Sequence, residues 1–344
     1  MRKYLLFVSL PYAYSILRPL QQEIRKRGDV VVWFVETGCP DALLPDEKRL
    51  KTVQEVLDFA PLAVFSPSNY IPDFFPGIKV QLFHGYPINK RNERRDDHFT
   101  IRGWFDIYCT QGPSSTPMFK ELESKYGFFR VYETGWPKAD VYFSPEMQVT
   151  VRNIRPTVLY SSTFTRSLTS TLLLADEIEQ YLVSRDWDWI FMFHPKLNDP
   201  NILDRYKRMA AEYPNATYLG NTFDIKAMQK ADVLLCDSSS IILEFMFLGK
   251  PVVTFRNSHP GPHLIDVHRP EEISSAIIRA LNRPEELMRE IRNYTMFHEP
   301  HRDGRCAARV LDAVDDFLER GHVGLKRKPL NLVRRWKMRR KYQF

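Results

Sequence analysis

Short apolar runs alternate along this chain with segments whose apolar residues recur every three or four positions. In the first half the spacing predicts strands over 4–10, 30–35, 62–65, 79–83, 107–110 and 130–134. Between them it predicts helices over 15–27, 52–59 and 116–126. Helical crossovers return each strand to the same end of a sheet, so this rhythm calls for a parallel α/β sheet. The charged start and apolar stretch also raise a signal peptide. Tyr12, Tyr14 and Arg18 follow at once, without a small-residue cleavage site, so the strand reading is preferred.

A polar, irregular stretch over 142–156, with Pro145 and Pro156, then interrupts the pattern and reads as a linker. Beyond it come strands over 157–160, 189–193, 217–219, 233–236 and 252–255. The accompanying helices are expected over 172–183, 202–212, 239–248, 274–281, 284–294 and 306–318. For 344 residues this gives a Rossmann-like domain over 1–145, a second over 156–320, and a basic tail over 321–344. Two such sheets facing a central cleft would suit a nucleotide-type ligand. A chain that is 44% hydrophobic and 13% aromatic is not disordered. No apolar run reaches the roughly 18 residues of a membrane span. Cys39, Cys109, Cys236 and Cys306 stand apart with no C-x-x-C pair, which argues against a disulfide framework or metal site and for a reducing cytosol.

The formal charge of +7 belongs to one segment. Residues 326–344 carry nine Lys and Arg and no acid, which leaves −2 for the rest of the chain. Leu330, Leu332, Val333, Trp336, Met338, Tyr342 and Phe344 are interleaved with those charges. The composition suits an anionic membrane surface, with a solvated tail as the plain alternative. A nucleic-acid partner has no recognised motif behind it and is not expected.

Three constellations stand where predicted strands end, and a fourth enters the last predicted helix. His84-Gly85 follows the run ending at Phe83; an imidazole there can take a proton near neutral pH, and glycine permits a sharp turn or a close ligand approach. His194-Pro195 repeats the arrangement in the second half. Asp237-Ser238-Ser239-Ser240 closes an apolar run and opens a helix that carries Glu244. Free N–H groups and serine hydroxyls there suit a phosphate or pyrophosphate, although one Ser or Asp would serve as an ordinary cap. Asp303-Gly304 enters the last predicted helix, where Asp303 either accepts a bond from a ligand hydroxyl or caps the helix. Asp186-Trp187-Asp188 matches a metal-binding D-x-D, but it precedes its strand and so lies at the wrong end of the sheet. No glycine-rich dinucleotide or P-loop motif is present.

Taken in order, these residues resemble the CDP-glycerol glycerophosphotransferases of teichoic-acid-type polymer synthesis. The family's W-H-G-T-P-x-K is similar to Phe83-His84-Gly85-Tyr86-Pro87-Ile88-Asn89-Lys90, and its T-G-x-P-R-x-D to Thr134-Gly135-Trp136-Pro137-Lys138-Ala139-Asp140. Its H-P resembles His194-Pro195. Its D-x-L-I-S-D-Y-S-S-x-x-x-[DE]-F resembles the stretch from Asp232 to Phe245, its K-P-[IV] resembles Lys250-Pro251-Val252, and its D-D-G-K-A-[ST] resembles the stretch from Arg302 to Ala307. Tyr86 in place of Thr, Lys138 in place of Arg and Asp237-Ser238 in place of Asp-Tyr are departures.

The resemblance, over residues 80–310, implies a GT-B-type architecture and transfer of glycerol phosphate from CDP-glycerol to an acceptor hydroxyl, with release of CMP. It implies His84 as base and His194 as a pyrophosphate contact, with Gly85, Asp237, Ser238, Ser239, Ser240, Glu244 and Asp303 around the donor. CDP-ribitol or a nucleotide sugar remains open as donor, as does a non-catalytic scaffold role. No metal or other cofactor is called for. A glycan or lipid-linked acceptor and a cytoplasmic location on the inner membrane face complete the expectation.

Overall fold

The structure is a computed structural model that describes residues 1–87, 97–149, 151–194, 196–220 and 223–344; Ile88, Asn89, Lys90 and Pro195 of the motifs above lie outside them. The chain divides into two compact units. One comprises Met1–Pro87, the described residues on to Ser144, and Phe297–Phe344; the other comprises Pro145–Met296.

In the first unit the described strands are β1 (Lys3–Val8), β2 (Val30–Val35), β3 (Arg49–Leu50), β4 (Ala63–Ser66), β5 (Ile78–Gln81), β6 (Ile107–Thr110) and β7 (Arg130–Glu133). All pair in parallel, in the order β3-β2-β1-β4-β5-β6-β7. β1 shows why: Tyr4, Leu5, Leu6, Phe7 and Val8 are all buried, so both faces of the strand are covered by crossover segments. The second unit repeats the plan with β8 (Thr157–Ser161), β9 (Asp188–Met192), β10 (Ala216–Gly220), β11 (Val233–Cys236), β12 (Val252–Phe255) and β13 (Ile265–Val267). Its order is β10-β9-β8-β11-β12-β13, again all parallel. In each sheet the winding reverses once, between β1 and β4 and between β8 and β11. Such reversals open a crevice at the strand C-termini, where ligands of open α/β sheets bind.

The C-terminal region differs from the sequence expectation. The helix Cys306–Asp316 was expected to close the second domain, but it packs within the first unit. Its apolar face, with Val310, Leu311 and Val314, is buried there, and its acidic side adds contacts: Arg27 pairs with Asp312 at 2.8 Å, Arg2 pairs with Asp315, and the Tyr132 hydroxyl donates to Asp316 at 2.7 Å.

The basic tail is also part of this unit. Residues Leu332–Tyr342 form a helix whose Met338 joins the core cluster that includes Phe34, Phe75 and Phe105. Lys328 pairs with Asp106 at 2.6 Å, Arg339 with Asp73 at 3.1 Å and Lys341 with Glu36 at 2.7 Å. Tyr342 donates its hydroxyl to Glu36, and Phe344 lies 4.4 Å from Phe74, centroid to centroid. Part of the positive charge is therefore spent on buried or half-buried acids. The opposite side of the helix leaves Leu332, Val333 and Trp336 about two-thirds exposed, at 68%, 67% and 59%. Among the described residues no helix is long and apolar enough to cross a membrane.

Candidate functional site

β5 ends at Gln81, and the chain then turns at Phe83, whose φ of 58° is left-handed although the residue is buried. The cost of that conformation is met by the contacts on either side. The Trp136 indole donates to the Phe83 carbonyl at 3.3 Å, and the Gln111 amide to the Gly85 carbonyl at 2.9 Å. His84 is thereby held on the surface at the C-terminal end of the sheet. The Tyr12 ring lies 5.5 Å from it, and the Tyr12 hydroxyl reaches Ser68 at 3.4 Å. Ser68 in turn meets Ser9, so the loops after β1 and β4 touch at the point where the winding reverses. The sharp turn expected at Gly85 falls two residues earlier: Gly85 has no left-handed φ, and a Cβ there would meet nothing within 4 Å.

The Thr134–Asp140 stretch packs beside this loop, and there glycine is required. Gly135 has φ +75°, and a Cβ would sit 2.4 Å from Cys306 Sγ and 2.8 Å from Glu299 Oε1. Asp140 accepts the backbone N–H groups of Cys306 and Ala307, so it satisfies the start of the last long helix. Asp303 is exposed, in the loop before the last long helix. It accepts the Arg305 N–H at 3.2 Å and grips Arg309 with both oxygens, a pairing that holds its carboxyl below the usual range. It also belongs to the first unit, whereas Asp237, the three serines and Glu244 belong to the second.

In the second unit, Asp237 follows β11 at the reversal point and is fully buried. Its carboxylate accepts from the Thr163 N–H at 2.9 Å, the Ser170 N–H and hydroxyl at 3.1 Å each, and the Ser162 hydroxyl. Asp237 thereby shapes the loop after β8 from beneath. Burial pushes its carboxyl up, against the pull of those four donors. Ser238 is buried as well, and its hydroxyl accepts the Ser258 N–H at 2.8 Å. Ser239 is half-buried and Ser240 exposed. The helix they open is six residues, Ile241–Met246, shorter than expected, and its Glu244 is buried.

His194 follows β9, half-buried, with its ring 4.5 Å from Phe164. Its Nδ1 accepts the Lys196 N–H at 3.1 Å. A neutral ring must then carry its proton on Nε2, as a donor. Asp186 and Asp188 are occupied at the opposite strand end, 3.3 and 3.0 Å from Arg155, as their position required. Lys250 of the Lys-Pro pair donates to the carbonyls of Met228 at 3.2 Å, Ala231 at 2.6 Å and Gln229, closing the end of the helix Ile225–Lys230. Tyr12, Ser162 and Ser170, which contact the candidate residues, and Ser68 behind Tyr12 carry no signal of that in the sequence. Ser162 and Thr163 directly follow β8, but only the strand order reveals that β8 borders the reversal.

Residues 77–316 match the family described as CDP-Glycerol:Poly(glycerophosphate) glycerophosphotransferase. The chain belongs to that family. It is accordingly a glycerophosphotransferase-family enzyme, of a kind associated with teichoic-acid-type polymer synthesis. No curated protein matches the chain. Among solved structures, the wall teichoic acid polymerase TagF matches with a TM-score of 0.66 at 12% identity, over 92% of this chain and 90% of that one. A TagF variant soaked with CDPG gives 0.63 at 13%, over 93% and 90%. S. aureus MnaA with UDP gives 0.62 at 13%, over 96% and 99%. At such identities the likeness speaks for the fold, which is α/β and GT-B-like as expected.

Proposed function

We propose that this glycerophosphotransferase-family enzyme moves glycerol phosphate, or a related alditol phosphate, from a CDP-alditol to a hydroxyl of a glycan or polyol-phosphate acceptor, in cell-surface polysaccharide synthesis. The family match over residues 77–316 carries the reading. The CDPG soaked into a TagF variant supports CDP-glycerol as donor. In the proposed step His84 takes the acceptor hydroxyl proton. The freed oxygen attacks the phosphorus that bears glycerol, and the bond to the CMP phosphate breaks. A positioned base of this kind contributes about 10²- to 10⁴-fold. His194, with its donor Nε2–H, and the hydroxyls of Ser239 and Ser240 are proposed to meet the charge that builds on the leaving phosphate. Gly85 is proposed to leave room for the substrate, and Glu244 to support the serine turn from within.

A lipid-linked acceptor on the inner leaflet fits the outward side of the tail helix. Leu332, Val333 and Trp336 are exposed there, with Lys337 and Arg340 beside them. Each basic group near an anionic leaflet is worth about 1 kcal/mol.

The second reading is a nucleotide-sugar enzyme, favoured by the fold likeness to MnaA with UDP. Incubation with CDP-glycerol, CDP-ribitol and UDP-sugars separates the two. Release of CMP from a CDP-alditol is expected; release of UDP alone would favour the rival.

A further inference from the structure

Glu299 lies in the loop between the helices Glu285–His298 and Cys306–Asp316, and it is fully buried. Its Oε2 accepts the Tyr86 hydroxyl at 2.8 Å and the Trp136 N–H at 2.8 Å. Its Oε1 accepts the His301 N–H at 3.2 Å. One carboxyl group therefore ties three loops together: the His84 loop through Tyr86, the Gly135 loop through Trp136, and its own loop through His301. Two further contacts close the frame. The Trp136 indole reaches the Phe83 carbonyl, and the Tyr86 and Trp136 rings meet edge to face at 5.2 Å. His84 sits between Phe83 and Tyr86, so both of its flanks are held by groups that Glu299 holds.

We infer that Glu299 is the positioning residue for His84: through Tyr86 and Trp136 it fixes the loop that presents the imidazole, without itself meeting the substrate. The packing supports the specificity of this arrangement, because only glycine at position 135 leaves space for the Glu299 carboxyl. Tyr86, a departure from the family's Thr, gains a defined purpose: its ring spans the distance from the His84 loop to the buried carboxyl. Burial pushes the Glu299 carboxyl up to about 8, and a glutamine keeps one oxygen for the Tyr86 hydroxyl and the Trp136 N–H while giving up the bond from the His301 N–H.

The inference rests on the proposed role of His84, and the test separates the two. Steady-state release of CMP from CDP-glycerol is measured for the full chain and for Glu299→Ala, Glu299→Gln and Tyr86→Phe. Misplacement of a reacting group by an ångström costs about 10²-fold, and Glu299→Ala is expected to lose that much kcat. Glu299→Gln is expected to restore most of it, with KM for CDP-glycerol changed by less than about 3-fold throughout. Tyr86→Phe, which removes one hydroxyl and folds even if the alanine variant does not, is expected to lower kcat by a smaller factor. In parallel, the imidazole signal of His84, assigned with His84→Ala in isotope-labelled protein, is expected to move in the Glu299 and Tyr86 variants. Folded Glu299→Ala and Tyr86→Phe with the parent's kcat would overturn the inference. An unmoved His84 signal would overturn it whichever donor the enzyme uses. A moved signal without any CMP release in the parent would leave the positioning intact and sink the CDP-glycerol reading instead.

Discussion

Asp140 accepts the backbone N–H groups of Cys306 and Ala307, at 2.7 and 2.8 Å, across more than 160 residues of sequence. A helix start normally finds its cap one residue away. Here the cap comes from the Thr-Gly-x-Pro stretch, which fastens the returning C-terminal segment to the first unit. Asp140→Ala leaves two buried donors without that partner and should cost about 1–3 kcal/mol, read as a fall in denaturant midpoint. An unchanged midpoint would remove Asp140 from the account of why Phe297–Phe344 joins this unit.

Two glycines in the motifs should respond in opposite ways. Gly135→Ala forces a Cβ to 2.4 Å from Cys306 Sγ at φ +75°, and overpacking of that kind costs about 1–3 kcal/mol. Gly85→Ala meets open space and should leave the melting temperature alone. If substrate approaches Gly85 closely, the same variant raises KM or lowers kcat. A Gly85→Ala enzyme with parental kinetics would remove Gly85 from the candidate site.

Glu299 should make stability depend on pH in a defined direction. Its carboxyl is pushed from the ordinary 4.5 up to about 8 by burial, so the folded chain holds a proton that the unfolded chain releases. That contribution is complete below pH 4.5 and is lost as pH rises towards 8. Glu299→Gln holds no such proton, so its melting temperature should fall less over this interval. Parallel curves for the two proteins would contradict the burial argument.

The tail helix bears on membrane attachment through one side only. Removing residues 326–344 would also strip Met338 and Tyr342 from the core, so truncation confounds binding with folding. Substituting Trp336→Ser with Lys337→Glu alters the outward side alone. Co-sedimentation with vesicles containing anionic lipid should weaken, and parental binding should itself fall as salt rises. Equal sedimentation of variant and parent would exclude this side as the attachment face.

The sheets were legible from the sequence because parallel strands buried on both faces read as unbroken apolar runs. Val30–Val35, Ile107–Thr110, Val233–Cys236 and Val252–Phe255 fall at the predicted residues. The two-residue β3 and the three-residue β13 were too short to show a period. The tail was legible in composition but not in placement, because the acids that hold it, Glu36, Asp73 and Asp106, are scattered through the first third of the chain. The motifs fall on loops at strand C-termini, and burial sorts their members: Asp237 and Ser238 lie beneath the surface, and His84 and Ser240 lie on it.

The central claim is that an exposed imidazole at the end of β5 takes a proton from an acceptor hydroxyl while CMP leaves a CDP-alditol. Acceptor-dependent CMP release by His84→Ala measures it most directly, since substitution of an exposed side chain leaves the fold in place. The account predicts a loss of about 10²- to 10⁴-fold in kcat at an unchanged melting temperature. A folded His84→Ala enzyme that releases CMP at the parental rate would contradict it.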